Sequence, residues 1–247
     1  MGTQTIVMAY PPIIPISIDV RGAIAQMSDL TKQLDEKEIN KATARAINRT
    51  LAHLVTVISS EVPKVYALKK FQVKDRFVIK PASMFSKGKG GKYNSNFLTG
   101  KIESVSNRIS ASNFENRIVK DGTATKITRS KKGGISSKTS QNARGGNSLF
   151  IKIFKGGKTK QVPSVFLMNK GGSLFFAFRG KYNKTDEYQK AEFAGRKVRG
   201  LLTQSVWDMA VNDKVQQPTS VDGMGFFVKR FEAELNNLIR LKTLQTP

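Results

Sequence analysis

The stretch KEINKATARAINRTLAHLVTVISSEV, residues 37–62, reads as one long amphipathic helix. Its apolar residues recur at steps of three, four and eight positions, so they form a single stripe at the helical period. Such a stripe needs another surface to cover it, and it therefore predicts a helix at the centre of the fold. The stripe consists of Ile39, Ile47, Leu51, Leu54, Ile58 and Val62.

A row of basic residues runs along the same predicted helix. They recur every four residues and lie roughly 200° round the helix from the apolar stripe, so their charge points away from the core. Two interpretations are open: a solvated helix face, or a surface for phosphate or for an acidic protein. The row consists of Lys37, Lys41, Arg45 and Arg49.

The whole chain is strongly basic. It has 247 residues, with 42 Lys and Arg against 18 Asp and Glu, which gives a net charge of +24. A chain of this length buries about 70 to 75% of the surface of its unfolded form, enough for one large domain or two small ones. The charge implies a polyanionic partner, an anionic membrane or an acidic protein, and on charge alone nucleic acid is the leading candidate.

The sequence lacks cysteine and has a single histidine, His53. Disulfides, thiolate nucleophiles and cysteine zinc sites are therefore excluded. A lone histidine on a helix is typical of a surface or boundary residue, so we expect no catalysis through His53. A multi-histidine metal site is excluded, and no metal and no cofactor is expected. No run of about 18 apolar residues is present, and prolines interrupt the apolar segment 6–18, so we expect neither a membrane span nor a signal peptide.

The segments beside the long helix have simple patterns. Residues 1–20 predict an extended arm, because prolines keep its first half from forming a helix or a central strand. A first helix follows, with Ala23, Ile24, Met27, Leu30 and Leu34 as its apolar residues, and Asp35 or Glu36 separates it from the long one. Pro63 is expected to end the long helix.

A basic segment, ALKKFQVKDRFVIKPAS, follows the long helix. It predicts a short helix or a helix-to-strand transition that stops at Pro81. Its lysines Lys69, Lys70 and Lys74 are candidate contacts for DNA or an acidic partner.

Two glycine-rich and lysine-rich loops are predicted, at 82–97 and 124–147. The GKGGK of the first lacks the spacing of a phosphate-binding P-loop. The second loop has too little apolar area to order itself, and it is either a DNA contact or a solvated loop. Its candidate contacts are Lys126, Arg129, Lys131, Lys132, Lys138 and Arg144.

Strands are predicted on both sides of the second loop. Residues 98–114 alternate as one or two strands, with Ile102, Val105 and Ile109 pointing inward. The runs SLFIKIFK, KQVPSVFLM and SLFFAFRGKY predict an antiparallel meander, with Pro163 at an edge or a bulge. The phenylalanines of these runs could stack nucleic-acid bases, but strand spacing favours the core.

The C-terminal part is expected to be helical. Residues 184–200 are charged and compatible with a helix, and residues 201–211 add an apolar helical segment that contains Trp207. After a turn at Pro218, a final helix over about 223–241 carries Phe227, Phe231, Leu235 and Leu238 as its stripe. The fold class is therefore α+β: long N-terminal amphipathic helices, a small antiparallel sheet and a C-terminal helix, with a single domain over 21–247 behind the arm.

Several blocks of the chain resemble the minor tail protein Z, or tail completion, proteins of lambda-like tailed bacteriophages. They are ARAINRT at 44–50, the basic LKKFQVKDRF that follows, and VPSVFLMNKGGSLFFAFRG at 162–180. The resemblance covers roughly residues 20–240 in order and spacing. It implies a structural virion protein, not an enzyme, with no catalytic residue. Such a protein would complete the head-proximal end of the tail and join the tail tube to the head connector around the DNA path.

The resemblance also implies partners and a location. A ring of subunits is expected, six by the symmetry of tail tubes, formed by head-to-tail contacts. The other partners are the tail tube, tail terminator and head-connector proteins and the packaged double-stranded DNA end, with no membrane partner. The protein would lie in the virion, and in the host cytoplasm during assembly.

Two other functions compete with this one. A free nucleic-acid-binding protein fits the charge and predicts tight, salt-sensitive binding by the isolated monomer. A nuclease could use Asp186, Glu187 and Lys190, but carboxylates near a lysine occur by chance in most basic proteins.

Overall fold

The protein is described by a computed structural model over residues 27–32, 34–82, 100–104, 108–130, 135–141, 148–170, 173–179 and 198–245. Helices and small antiparallel sheets make up these residues, which confirms the α+β class. The chain divides into two compact units, where the sequence predicted one domain. Unit 1 comprises Met1–Glu61, Lys74–Ser106 and Trp207–Pro247, and unit 2 comprises Val62–Val73 and Asn107–Val206. The predicted arm 1–20 lies outside the described residues, as do residues 83–97 of the first predicted loop.

The described helices differ greatly in length. Two of them, α2 and α5, have 30 and 33 residues. In chain order they are α1 Ser28–Thr31, α2 Glu36–Val65, α3 Lys70–Lys74, α4 Val206–Ala210 and α5 Asp213–Gln245, with one 3-10 turn at Ala111–Asn113.

The described strands form four antiparallel sheets. Unit 1 holds β1 Phe77–Lys80 paired with β2 Lys101–Ser104. The sheets of unit 2 have the orders β6-β5-β4-β7-β8, β11-β10-β9 and β12-β3. Their strands are β3 Arg108–Ser110, β4 Glu115–Lys120, β5 Thr123–Arg129, β6 Ile135–Ser140, β7 Ser148–Lys152, β8 Lys160–Pro163, β9 Val165–Lys170, β10 Ser173–Arg179, β11 Val198–Gly200 and β12 Leu202–Ser205.

Helix α2 confirms the predicted central helix. The Glu38 N–H donates to the Asp35 side chain (2.7 Å) and the Asp35 N–H donates to the Glu38 carboxylate (3.0 Å), a reciprocal cap that fixes where the helix begins. Of the predicted stripe, all but the partly buried Ile39 are buried. The buried hydroxyls of Thr50 and Ser59 donate to the carbonyls one turn earlier, so polar groups on this helix are buried without loss of hydrogen bonds.

The predicted helix end at Pro63 and the predicted turn at Pro218 are both wrong. Pro63 lies in the last turn of α2, which continues to Val65 because Val62 and Tyr66 are buried and the Tyr66 N–H donates to the Val62 carbonyl (2.8 Å). Pro218 lies inside α5, where buried Val215 and Thr219 hold the first turns in place. Burial of the flanking residues outweighs the one hydrogen bond that each proline removes.

In unit 1, α5 packs antiparallel to α2. Phe227, Phe231 and Leu235 are fully buried, as the predicted stripe requires, whereas Leu238 is only partly buried. Gly223 lies against Leu54 of α2: a methyl group at Gly223 would come within 2.6 Å of a Leu54 methyl carbon. Because Leu54 is itself buried, this close approach depends on the glycine.

The predicted loop at 124–147 is wrong for much of its length, because β5 and β6 lie in it. The dipeptide Asp121–Gly122 makes the tight turn between β4 and β5, with φ of 48° and 73°. Such a turn suits a two-residue hairpin. The buried Asn116 side chain then accepts from the Ile127 N–H (3.0 Å) and donates to the Phe114 carbonyl (2.8 Å). These buried hydrogen bonds stabilise the hairpin, and a solvated loop would not form them.

The predicted meander has the correct strand pairs, but its strands do not form one continuous sheet. Strands β7 and β8 pair, and so do β9 and β10, but the two pairs belong to different sheets. Ser164, with φ of 59°, separates β8 from β9 and redirects the chain. Pro163 lies at the end of β8, an edge strand, as predicted.

Other predictions are confirmed in part. The segment 68–80 forms α3 and then β1, and Ile102 and Ile109 are buried, whereas Val105 lies outside the described residues. The predicted first helix is described only at its end, as α1 and the buried Leu34. Residues 198–200 are strand, not helix, and 201–211 contain β12 before the short α4, because β11 and β12 find pairing partners in β10 and β3.

Candidate functional site

The predicted basic row lies on α2 in unit 1. Lys37, Lys41, Arg45 and Arg49 are all exposed, as the periodicity predicted. The structure nevertheless separates the row into two pairs. Lys37 and Lys41 form no ion pair with the described residues, whereas Arg45 and Arg49 both reach a carboxylate on α5.

That carboxylate belongs to Glu234, whose side chain is only 7% exposed. Each of its two oxygens forms an ion pair with one guanidinium, at 3.5 Å from Arg45 Nη1 and 3.1 Å from Arg49 Nη1. A buried carboxylate is costly unless it is paired, so the two arginines stabilise the helix pair. About half of each arginine side chain remains exposed, which leaves further N–H donors at the surface.

His53 lies on the same side of unit 1, one turn beyond Arg49. Its Nε2 is 2.5 Å from a carboxylate oxygen of Asp222, and its ring stacks on Phe226 with centroids 3.9 Å apart. The Arg230 guanidinium covers the Phe226 ring at 5.1 Å. These contacts tie α2 to α5, so the position of the single histidine is explained by packing between the two helices.

The second basic surface is a β-ribbon in unit 2, formed by β5 and β6. Lys126 and Lys138 are exposed and lie directly opposite each other in the antiparallel register. Next to them, the hydroxyls of Thr125 and Thr139 are 3.5 Å apart across the strands. Five of the six residues of β6 are exposed, so this edge strand buries almost nothing of its own. The ribbon thus presents ammonium and hydroxyl groups with no carboxylate between residues 123 and 140.

Three further predicted contacts lie on or beside α3. Lys70 and Lys74 are exposed on α3, and the exposed Lys69 precedes that helix. Lys131, Lys132 and Arg144 lie outside the described residues, as do Asp186, Glu187 and Lys190 of the alternative nuclease cluster. Arg129 belongs to β5, but its side chain is not described.

Sequence reasoning missed one basic segment, the connection between β7 and β8. Lys155 and Lys158 are exposed in it, and Lys160 is exposed at the start of β8. Phe154, immediately before Lys155, is 43% exposed. The other phenylalanines of these strands fit the core interpretation better: Phe176 and Phe178 are buried. The signal that could have found the segment is the sequence FKGGKTK, in which a glycine pair interrupts the strand pattern between lysines.

The described residues give no further chemical centre. Among them, no group of three or more His, Asp or Glu side chains is placed to hold a metal ion. No helix in the described part of the chain is long and apolar enough to cross a membrane.

The comparison with known proteins first gives the class of protein, a structural component of bacteriophage tails. A family model described as prophage minor tail protein Z matches residues 20–167, more than half of the chain. The chain therefore belongs to the prophage minor tail protein Z family, and it acts in the virion with other tail components. No curated protein and no solved structure matches the chain.

Proposed function

We propose that this tail protein completes the head-proximal end of the tail, as a ring of six subunits that joins the tail tube to the head connector around the DNA path. The observation that carries the proposal is the family match over residues 20–167. The tail tube, tail terminator and head-connector proteins are its proposed neighbours, with the packaged DNA end inside the ring. Its role is mechanical, and no residue is assigned to catalysis.

The charge of such a ring limits what DNA alone can neutralise. Six copies at +24 would carry 144 positive charges. A duplex presents one negative charge per roughly 1.7 Å, so about 40 Å of channel holds only about 24. We therefore expect much of the basic surface to meet acidic faces of neighbouring tail or connector proteins, and only part of it to meet DNA.

The chemistry of the two basic surfaces supports a division of labour. Phosphate oxygens in DNA complexes accept hydrogen bonds from lysine, arginine, serine and threonine. The β5–β6 ribbon offers these groups without a carboxylate, and a two-stranded ribbon fits the major groove. We assign the ribbon, through Lys126 and Lys138, to DNA. The α2 row, of which Lys37 and Lys41 are unpaired among the described residues, is assigned to an acidic protein face.

The proposal is tested with a nonsense mutation in the gene, in the phage that encodes this chain. We expect the mutant to make heads and tails that sediment separately, or joined particles that do not deliver DNA. Supplying the chain from a plasmid should restore infectious particles. Full infectivity without the chain would overturn the proposal and leave the free nucleic-acid-binding protein as the leading function.

The presence or absence of the chain in purified particles distinguishes the proposed function from the competing one. A free nucleic-acid-binding protein would be found on DNA in infected cells and would be absent from purified particles. A tail completion protein would be found in the particles at a fixed ratio to the tail-tube protein. Quantitative mass spectrometry of purified particles separates the two.

A further inference from the structure

The connection between β7 and β8 presents an aromatic ring to solvent. Seven large hydrophobic side chains are exposed among the described residues, and Phe154 is the one aromatic side chain of the seven. Its ring rests on Tyr66, which is 2% exposed, with centroids 5.1 Å apart and planes inclined by 32°. The ring is therefore supported from below by a buried neighbour, while much of its surface stays in water.

The backbone around Phe154 is held in place by hydrogen bonds on both sides. The Ala67 N–H donates to the Ile153 carbonyl (2.8 Å), and the Lys155 N–H donates to the Val65 carbonyl (2.9 Å). The Gly157 N–H then closes the turn on the Phe154 carbonyl (3.1 Å). Because these contacts fix the turn before any partner binds, little conformational entropy is lost when the ring is used for binding.

The charge around this ring has one sign. Lys155, Lys158 and Lys160 are exposed, and residues 148–170 contain neither Asp nor Glu. None of the three lysines forms an ion pair with a described residue. A fixed aromatic ring among unpaired lysines is the arrangement that proteins use for unpaired nucleic-acid bases, where the ring stacks on a base and the cations hold the phosphates.

We propose that the turn 153–160 is a binding site for single-stranded nucleic acid, with a base stacked on Phe154 and adjacent phosphates held by Lys155, Lys158 and Lys160. An acidic protein face would use the lysines but would gain little from the exposed ring. A continuous duplex keeps the faces of its bases covered, so the ring favours an unpaired strand or a frayed end. This site is distinct from the β5–β6 ribbon, and it does not depend on a ring-shaped assembly.

The test measures binding of a fluorescein-labelled oligothymidylate to the full-length chain by fluorescence anisotropy over a series of salt concentrations. Phe154→Leu keeps an apolar side chain on Tyr66 but removes the aromatic face. We expect it to weaken binding by roughly 5- to 150-fold, the range for loss of one stacked base. Phe154→Trp should bind as well as the unaltered chain or better. Circular dichroism checks that both variants are folded.

A lysine pair supplies the matched control. Lys158→Gln should reduce the slope of log affinity against log salt by about 0.7, as expected for one lost phosphate contact to a single strand. Lys120→Gln, an exposed lysine at the end of β4 in the same unit, should leave the slope unchanged. Measurement at high salt suppresses general attraction to a chain of charge +24.

Two results would overturn the proposal. One is oligothymidylate binding that is the same for Phe154→Leu and the unaltered chain at every salt concentration. The other is equal affinity for polyglutamate, because that would make the turn a general cationic surface. Neither result bears on the location of the protein in the particle, so the proposed function would stand or fall separately.

Discussion

The α2–α5 pair of unit 1 and the five-stranded sheet of unit 2 both carry basic residues, but they use them differently. On the helix pair, Arg45 and Arg49 bind the buried Glu234, and Lys242 lies 3.5 Å from Glu38. On the sheet, Lys126 and Lys138 face each other across β5 and β6 without an ion pair to any described residue. The same residue types therefore stabilise the fold in one unit and repel each other in the other.

This difference predicts how substitutions in the two regions should act. A guanidinium on a buried carboxylate contributes to stability in the isolated chain. Two like charges directly opposite on a ribbon are mildly destabilising until an anion lies over them. We therefore expect substitutions on the helix pair to change stability, and substitutions of the sheet lysines to change binding.

The largest effect is expected in the buried contact of the helix pair. Phe231→Ala should lower the free energy of unfolding by about 3–5 kcal/mol, because the ring is fully buried and its removal leaves a cavity. Leu244→Ala on the same helix, where the side chain is 75% exposed, should change it by less than about 0.5 kcal/mol. Urea unfolding followed by circular dichroism measures both. Equal effects would mean that the α5 stripe does not form the core of unit 1.

The second prediction compares alanine substitutions at two glycines of α5. Gly223→Ala should cost about 1–3 kcal/mol, because the new methyl group would press on the buried Leu54. At Gly225 a methyl group would meet nothing within 4 Å, so Gly225→Ala should stabilise the helix by about 0.5–1 kcal/mol. Thermal unfolding of the two variants gives shifts of opposite sign. A Gly223→Ala variant as stable as the unaltered chain, or more stable, would contradict the close approach of α2 and α5.

A third, smaller effect tests the paired arginines. Glu234→Gln removes the charge that Arg45 and Arg49 share, and we expect a loss of about 1 kcal/mol, because both arginines are about half exposed and partly screened by water. Glu232→Gln on the exposed side of the same helix removes the same charge and should have almost no effect. Urea unfolding at low and high salt measures this difference, which should shrink as salt rises.

Substitutions in the β5–β6 ribbon should have the smallest effect on stability. They should change the binding of duplex DNA instead. Lys126→Gln with Lys138→Gln should alter the free energy of unfolding by less than about 0.5 kcal/mol. The slope of log affinity for duplex DNA against log salt should fall by about 1.8, since each phosphate contact contributes about 0.9. Lys101→Gln on β2, also exposed, is the control. An unchanged slope for the double variant would remove the ribbon from the DNA path.

The sequence predicted well those elements whose pattern is strong and local. The apolar stripe of α2 and the later part of α5 followed from the helical period alone, because these faces are covered by other parts of the chain. The basic row on α2 was also placed correctly. Its pairing with Glu234 could not be predicted, since the partner lies almost 190 residues further along the chain and sequence spacing does not show which helix faces meet.

The prediction was wrong where residues that usually interrupt helices or strands have buried neighbours. Pro63 was expected to end the long helix, and Pro218 was expected to lie in a turn before the final helix, yet buried neighbours keep both helices continuous. Strands β5 and β6 fall largely in the segment 124–147, which was expected to be a loop because it has little apolar area to bury. The Asp121–Gly122 dipeptide before it was the available signal, since this pair favours a tight hairpin turn.

The central claim, that this member of the prophage minor tail protein Z family completes the head-proximal end of the tail, is tested most directly by electron microscopy of intact particles with the protein labelled at its C-terminus. We expect label at the head-proximal end of every tail, on a ring that surrounds the DNA axis. Label along the tail tube or at its distal tip would contradict the proposed position. Particles without label would contradict the structural role itself.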